Sequence, residues 1–173
     1  MEEIELTYLP KELPVGLKNA SSKEMIDIYI PQSSSHPTLR IRHIGDKYEM
    51  TKKTPVKEGD ASHQIETTIP LTKEEFDDLE KIEGKRVSKT RYYYKENGIN
   101  FEIDVFQQKL KGLVLVEVEF KSLEEKSNFV TPEWLLAEVT QSNFIAGGML
   151  CGKQFDDISD ELMTFNYEPL EIQ

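Results

Sequence analysis

The stretch Met1-Glu2-Glu3-Ile4-Glu5-Leu6-Thr7-Tyr8-Leu9 alternates between polar and apolar side chains. Its polar members Glu3, Glu5 and Thr7 share one side of an extended backbone, and its apolar members share the other. This period of two predicts a half-buried β-strand. Two carboxylates at this spacing lie about 6.5–7 Å apart along a strand. They either face water or supply the oxygen ligands that Mg²⁺ and Mn²⁺ prefer, and the rest of the chain must decide which.

The size and charge of the chain narrow its class. A chain of 173 residues predicts one domain with a single core, over residues 1–173. A net charge of −11 argues against non-specific binding to nucleic acid or to an anionic membrane. We find neither a signal peptide nor an apolar run of the roughly 18 residues that a membrane-spanning helix needs. The single cysteine, Cys151, excludes an internal disulfide and favours a cytoplasmic location. We expect it to be a buried structural thiol. The chain could also form a homodimer.

Strand patterns continue along most of the chain, with Gly45-Asp46 and Asn97-Gly98 as hairpin turns. Helices are few and short, and we expect them to lie outside the sheet or to plug one end of it. The capping box Thr72-Lys73-Glu74-Glu75 starts a helix over residues 73–82. Further short helices are predicted around residues 134–136 and 143–150, with an extended segment at 138–140 between them. The seven further predicted strands cover residues 24–30, 39–44, 48–53, 64–69, 87–95, 100–106 and 112–120.

Hairpin-linked strands predict a mainly β (α+β) fold, either an antiparallel barrel or a sandwich. Most of these strands carry polar or charged pairs spaced by two residues, so that each pair shares one face. The acidic and basic pairs are segregated along the chain, for which contact with water gives no reason. The helices also carry apolar stripes that need an apolar sheet surface. The pairs are Arg40 and Arg42, Thr51 and Lys53, Gln64 and Glu66, Lys89 and Arg91, Glu102 and Asp104, and Glu117 and Glu119.

These two observations favour an inverted barrel with a charged lumen, an apolar exterior and a few short helices outside. Burying so many charges is costly unless they pair or hold ligands. Arginine binds phosphate in a bidentate manner, and carboxylates hold the metal that bridges to it. The lumen is therefore suited to a polyanion together with divalent cations.

Over nearly its full length the chain resembles the CYTH superfamily, the triphosphate tunnel metalloenzymes, which include class IV adenylate cyclases and thiamine triphosphatases. The order and spacing of several short motifs carry the resemblance, although each motif alone is weak. The motifs are Glu3-x-Glu5-x-Thr7, Arg40-x-Arg42, Tyr48 to Lys53, Glu66, Lys89-x-Arg91, Glu102 with Asp104, and Glu117-x-Glu119.

The resemblance implies an eight-stranded antiparallel closed β-barrel, a tunnel with a charged lumen. It also implies hydrolysis of a triphosphate with Mg²⁺ or Mn²⁺ inside this tunnel. Inorganic tripolyphosphate is the first substrate that we expect, thiamine or nucleoside triphosphate the next, and cyclisation of ATP is a further option. Catalytic functions would fall to Lys53, Lys89 and Thr7. The implied phosphate-binding residues are Arg40, Arg42, Lys53, Lys89 and Arg91. The implied metal ligands are Glu3, Glu5, Glu66, Glu102, Asp104, Glu117 and Glu119.

The chain departs from the family pattern at two positions. Thr7 stands where most members have a lysine, and its hydroxyl brings no charge to a phosphate. Asp27 stands where a glutamine is frequent. The departure at Thr7 supports a competing hypothesis, a non-catalytic module that binds phosphate polymers or nucleotides.

Overall fold

The structure, a computed structural model, describes residues 1–172 and contains one sheet of nine β-strands. Residue 173, part of the predicted single domain, lies outside this range. The strands are β1 (Glu2–Pro10), β2 (Ser21–Ile30), β3 (Leu39–Ile44), β4 (Lys47–Pro55), β5 (His63–Leu71), β6 (Lys85–Glu96), β7 (Ile99–Phe106), β8 (Val114–Phe120) and β9 (Leu135–Glu138). The α-helices are α1 (Lys73–Leu79), α2 (Leu123–Ser127), α3 (Gly147–Leu150) and α4 (Ser159–Met163).

The first eight strands form a closed antiparallel barrel, as the sequence predicts. They follow the order β5-β4-β3-β2-β6-β7-β8-β1, and β1 then pairs with β5 to close the ring. At this closure Glu3 lies opposite Gln64. β5 covers only the beginning of β1, and β9 pairs with the end of the same edge, where Leu9 lies opposite Ala137. The ninth strand is therefore an addition to the barrel and lies outside the predicted eight.

The charged pairs face the lumen. Arg42 of β3 lies opposite Asp27 of β2, and Arg91 of β6 lies opposite Asp104 of β7. Arg42 and Asp104 are 7% and 0% exposed, so these charges are buried inside the barrel. Glu119, at one end of β8, is the exception because it is exposed.

The outer face of the barrel is apolar and covered, which confirms the inverted arrangement. Ile103 and Val116 are buried beneath Trp134, whose ring centroid lies 5.2 Å from that of Phe101. On the other side of the barrel, Phe76 of α1 packs on the outer faces of β2 and β3. The sheet therefore buries its apolar side against short helices and loops.

α1 begins as the capping box predicts. Thr72 Oγ1 accepts a hydrogen bond from the Glu75 backbone N–H at 3.2 Å, and Glu75 Oε2 accepts one from the Thr72 N–H at 2.7 Å. The helix ends at Leu79, three residues earlier than predicted.

At one end of the barrel the inward face becomes apolar and is filled by C-terminal segments. Leu9, Phe106 and Leu115 point into this end and pack with Leu150 and Leu162. Residues 139–167, called the plug below, supply most of these C-terminal contacts. Short helices thus close the barrel end as well as covering its outside.

The helix predicted around residues 134–136 is wrong, because this segment leads into β9. The edge of β1 beyond Tyr8 is not covered by β5, and its backbone groups need partners. β9 supplies them from Leu135 onward. The helical turns predicted over residues 143–150 are present. Among residues 1–172, every helix is too short or too polar to span a membrane.

Replacing Ile103 by alanine tests the inverted arrangement. Ile103 is 0% exposed on the outer face, so Ile103→Ala should lower the free energy of unfolding by about 2–5 kcal/mol through lost burial and a residual cavity. Ile69 is 53% exposed, and Ile69→Ala should change the free energy of unfolding by about 0.5 kcal/mol or less. Urea denaturation measures both, and equal losses would contradict a covered exterior at Ile103.

Candidate functional site

Ion pairs in three clusters, together called the lumen network below, line the inside of the barrel. They join five basic side chains to eight carboxylates, so acidic groups are in excess. The bases are Arg40, Arg42, Lys53, Lys89 and Arg91. The acids are Glu3, Glu5, Asp27, Glu49, Glu66, Glu102, Asp104 and Glu117.

Arg91 is the centre of one of these clusters. Its Nε lies 2.6 Å from Asp104 Oδ1 and its Nη2 lies 2.7 Å from Asp104 Oδ2. It also contacts Glu102, and Glu117 Oε2 at 2.5 Å, while Lys89 donates to Asp104. Both oxygens of Asp104 are therefore occupied by basic side chains, and the group forms a rigid framework on β6, β7 and β8.

A second arginine is held by Asp27, the residue that departs from the family pattern. Arg42 Nε and Nη2 donate to the two carboxylate oxygens of Asp27 at 2.6 and 2.8 Å. Burial opposes ionisation of Asp27, but Arg42 outweighs the burial and lowers the pKa of Asp27 below its usual range. Sequence reasoning missed this pairing. The alternation of Asp27 with Ile26 and Ile28 was visible in the sequence, but its partner on β3 depends on the register that the structure shows.

Lys53 gathers the two carboxylates of the opening motif. Its Nζ lies 2.5 Å from Glu3 Oε2 and 3.2 Å from each carboxylate oxygen of Glu5. Burial raises the pKa of Glu5 to about 7, although Lys53 acts in the opposite direction. Burial alone would lower the pKa of Lys53, but Glu5, Glu117 and Glu3 outweigh it and raise this pKa above its usual range. Lys53 therefore stays positively charged.

Two buried polar atoms in this region have no hydrogen-bond partner among residues 1–172: Arg40 Nε and Glu3 Oε2. The Glu3 oxygen is close to Lys53 but is not aligned for a hydrogen bond. Another nitrogen of Arg40 has a partner, because Nη1 donates a hydrogen bond to the Tyr29 hydroxyl at 3.3 Å. Leaving such groups unpaired is costly, and this favours a site that a ligand completes.

A cavity of about 380 Å³ opens beside these atoms. Glu5, Arg40, Lys53 and Glu117 line its charged side, together with Thr7. The predicted site residues Glu3 and Glu66 reach Lys53 at the same place. The remaining predicted residues Arg42, Lys89, Arg91, Glu102 and Asp104 lie outside the cavity lining, and Glu119 lies at an exposed end of β8.

The carboxylates differ strongly in proton affinity. Burial raises the pKa of Glu102 to about 7, with Arg91 opposing it. Burial also acts on Glu117, but Arg91, Lys89 and Lys53 outweigh it and lower the pKa of Glu117 below its usual range. Burial raises the pKa of Glu119. Glu117 is thus the carboxylate of β8 that is held ionised beside the cavity.

The carboxylates beside the cavity fit a divalent cation in type. No group of three or more His, Cys, Asp or Glu side chains is arranged as a metal centre among residues 1–172. Glu3 and Glu5 instead form ion pairs with Lys53. Glu3 Oε2 is an acceptor without an aligned donor, and carboxylate oxygens are the ligands that Mg²⁺ and Mn²⁺ prefer.

Asp27→Asn tests the pairing with Arg42. The variant leaves a buried guanidinium without its counter-charge, so we expect a loss of about 3–5 kcal/mol in the free energy of unfolding at neutral pH. Asp27 has a lowered pKa in the folded state. Its contribution is therefore present above the unfolded pKa of about 3.9 and is lost as the pH falls toward the folded pKa.

The difference between wild type and Asp27→Asn should accordingly shrink below about pH 4. Denaturation at a series of pH values measures it. Asp78→Asn serves as the control, because Asp78 pairs with Lys81 at the exposed surface and its loss should leave stability nearly unchanged. A difference that was undiminished at pH 3, or equal effects of the two variants at neutral pH, would contradict the assignment.

Comparison with known proteins agrees with this architecture. The profile of the CYTH domain family matches residues 1–143. An inorganic triphosphatase of Nitrosomonas europaea is 39% identical over 143 residues, which cover 82% of this chain and 91% of the relative. An inorganic triphosphatase of Acetivibrio thermocellus is 32% identical over 104 residues, covering 60% and 64%.

Solved structures show the same likeness. The crystal structure of an inorganic triphosphatase is 34% identical to this chain and superposes with a TM-score of 0.63. The match covers 86% of this chain and 93% of that one. The family match extends over most of the sequence, including all eight barrel strands. The chain therefore belongs to the CYTH family.

Proposed function

We propose that this chain hydrolyses inorganic triphosphate inside its tunnel, with Mg²⁺ or Mn²⁺ as the cofactor. The relatives named inorganic triphosphatase, matched over most of the chain, support the substrate. The single observation that carries the proposal is the cavity lined by Arg40 and Lys53, where the buried Arg40 Nε has no hydrogen-bond partner among residues 1–172. The single cysteine, Cys151, is buried and free. Because free thiols are typical of a reducing compartment, we propose a cytoplasmic location.

Phosphate binding falls first to Arg40 and Lys53, because both line the cavity and carry positive charge. Arg42, Lys89 and Arg91 lie further along the lumen and are each held by a carboxylate. They extend the positive field that a bound polyanion meets and fix the direction of the neighbouring groups. Positioning and electrostatic stabilisation are the main contributions of a protein to phosphoryl transfer.

Divalent cations would bind to the carboxylates that exceed the basic groups, with Glu3, Glu5 and Glu117 nearest the cavity. Glu66, Glu102, Asp104 and Glu119 complete the proposed ligand set, although Asp104 is already held by Arg91 and Lys89. Such a cation supplies charge neutralisation at the phosphate oxygens. The pronounced negative charge of the lumen would otherwise repel triphosphate.

In the reaction, water adds to a terminal phosphorus and the phosphoanhydride bond to the neighbouring phosphate breaks. Orthophosphate and pyrophosphate leave, and the proton from water passes to solvent. Lys53 remains protonated because of the acids around it, so it stabilises charge and does not accept the proton. Thr7 lies opposite Glu117 across β1 and β8 and lines the cavity, so its hydroxyl is placed to hydrogen-bond a phosphate oxygen.

Thr7 also favours a second candidate function, a module that binds phosphate polymers or nucleotides without turnover. A phosphate-release assay distinguishes the two. We expect release from inorganic triphosphate with Mg²⁺ or Mn²⁺, less from thiamine triphosphate and ATP, and loss of activity after chelation by EDTA. Tight binding without release would establish the module, and cyclic AMP formed from ATP would establish a cyclase.

Thr7→Lys tests whether a missing charge limits turnover. An ammonium a few ångströms from a phosphoryl oxygen is worth several kcal/mol at an effective dielectric constant of about 20. Only the part that grows in the transition state accelerates the reaction, so we expect a rise of about 10-fold in kcat for inorganic triphosphate.

Lys53→Ala and Lys89→Ala complete this experiment. Lys53→Ala should reduce kcat/KM strongly, whereas Lys73→Ala, which removes an exposed lysine of α1, should leave it unchanged. An unchanged or lower rate for Thr7→Lys, together with a collapse on losing Lys53 or Lys89, would show that a native lysine already supplies the charge.

A further inference from the structure

Residues 140–148, called the strap below, cross the plugged end of the barrel beside the cavity. The strap is tied to β1 at its beginning. The Thr7 N–H donates to Thr140 Oγ1 at 3.0 Å, and the Val139 N–H donates to the Thr7 carbonyl at 2.8 Å. The strap therefore starts next to Thr7, the position at which this chain departs from the family motif.

The far end of the strap rests on β2 and on the loop between β2 and β3. A Cβ at Gly147 would lie 2.0 Å from the Tyr29 hydroxyl oxygen, and one at Gly148 would lie 2.1 Å from the Pro37 carbonyl oxygen. Only glycine permits so close an approach. The two glycines thus seat the strap firmly on this side of the opening.

The third attachment reaches the loop between β4 and β5, whose hairpin is next to the β2–β3 hairpin in the barrel. Gln141 Oε1 accepts from the Ala61 N–H at 3.0 Å, and Gln141 Nε2 donates to Asp60 Oδ1 at 3.1 Å. The same Asp60 oxygen accepts from the backbone N–H and the hydroxyl of Ser62 at 2.9 and 2.7 Å. One side-chain amide therefore joins the strap to this loop.

Asp60 is negatively charged at neutral pH. The hydrogen bonds from Ser62, followed by the one from Gln141, lower the pKa of Asp60 to about 2. Asp60 and Gln141 line the same cavity as Arg40 and Lys53. A phosphate chain that binds Arg40 and Lys53 and extends toward Asp60 would meet the Asp60 carboxylate. It would also meet the hydrogen bonds by which Gln141 joins the strap to the β4–β5 loop.

We propose that the Asp60–Gln141 contact limits the length of phosphate chain that the site accepts, and so determines specificity for triphosphate over longer linear polyphosphates. The inference rests on the proposed function, since it concerns the same cavity. The Asp60 charge repels a fourth phosphate. Gln141 holds the strap and the β4–β5 loop together, so that the chain cannot pass between them.

Asp60→Asn and Gln141→Ala test separately the Asp60 charge and the Gln141 contact. Asp60→Asn keeps the oxygen acceptor and removes the charge, whereas Gln141→Ala keeps the charge and removes the contact. We expect each to raise the ratio of kcat/KM for linear tetrapolyphosphate to that for tripolyphosphate, by about tenfold for Asp60→Asn. Gln32→Ala, an exposed glutamine outside the cavity, is the matched control and should leave the ratio unchanged.

Titration calorimetry of both polyphosphates with Mg²⁺ provides a readout that does not depend on turnover. If the wild type bound but did not hydrolyse tripolyphosphate, the proposed hydrolysis would fail, while the Kd ratio of the two chains would still test the length limit. Unchanged ratios in both variants would overturn the proposal, as would a wild type that binds and cleaves both chains equally. Wild-type protein that binds neither chain would overturn it as well.

Discussion

The structure depends on neutralising charge inside the barrel. Thirteen ionisable side chains share the lumen network, and removing any such group from water is costly unless a counter-charge or ligand compensates. Arg91 satisfies most of this requirement on one side by binding Asp104 through two nitrogens and reaching Glu102 and Glu117 as well. Because these partners lie on adjacent strands, the same contacts that compensate the charges also hold the register of β6, β7 and β8.

The network divides the lumen into two parts with different properties. Around Arg91 and Arg42 the donors and acceptors are matched closely, and this part behaves as a framework. Beside the cavity the matching is incomplete, since Arg40 Nε and Glu3 Oε2 have no hydrogen-bond partner among residues 1–172, although Glu3 forms an ion pair with Lys53. A binding site needs both properties, because a rigid surround keeps the unmatched groups directed at a ligand and prevents them from collapsing onto one another.

The inverted barrel also explains why the helices are short. A conventional barrel fills its interior with apolar side chains, whereas here the apolar faces point outward and must be covered piece by piece. α1 covers β2 and β3, Trp134 covers β7 and β8, and the plug fills the end where Leu9 and Leu115 turn the inward face apolar. The strap is the first part of this plug, and Gln141 joins it to the β4–β5 loop.

The sequence by itself determined the eight barrel strands and the side on which their charges lie, because side-chain parity along a strand is a local property. Closure of the barrel depends on the long-range pairing of β1 with β5. Partners across strands depend on register, so the bidentate contact of Asp27 with Arg42 emerged only in the tertiary structure. The same holds for β9, whose residues 134–136 carry a helical pattern yet form a strand because the uncovered edge of β1 requires backbone partners. The meeting of Asp60 with Gln141 spans 81 positions of the chain, and no local pattern encodes a contact at that separation.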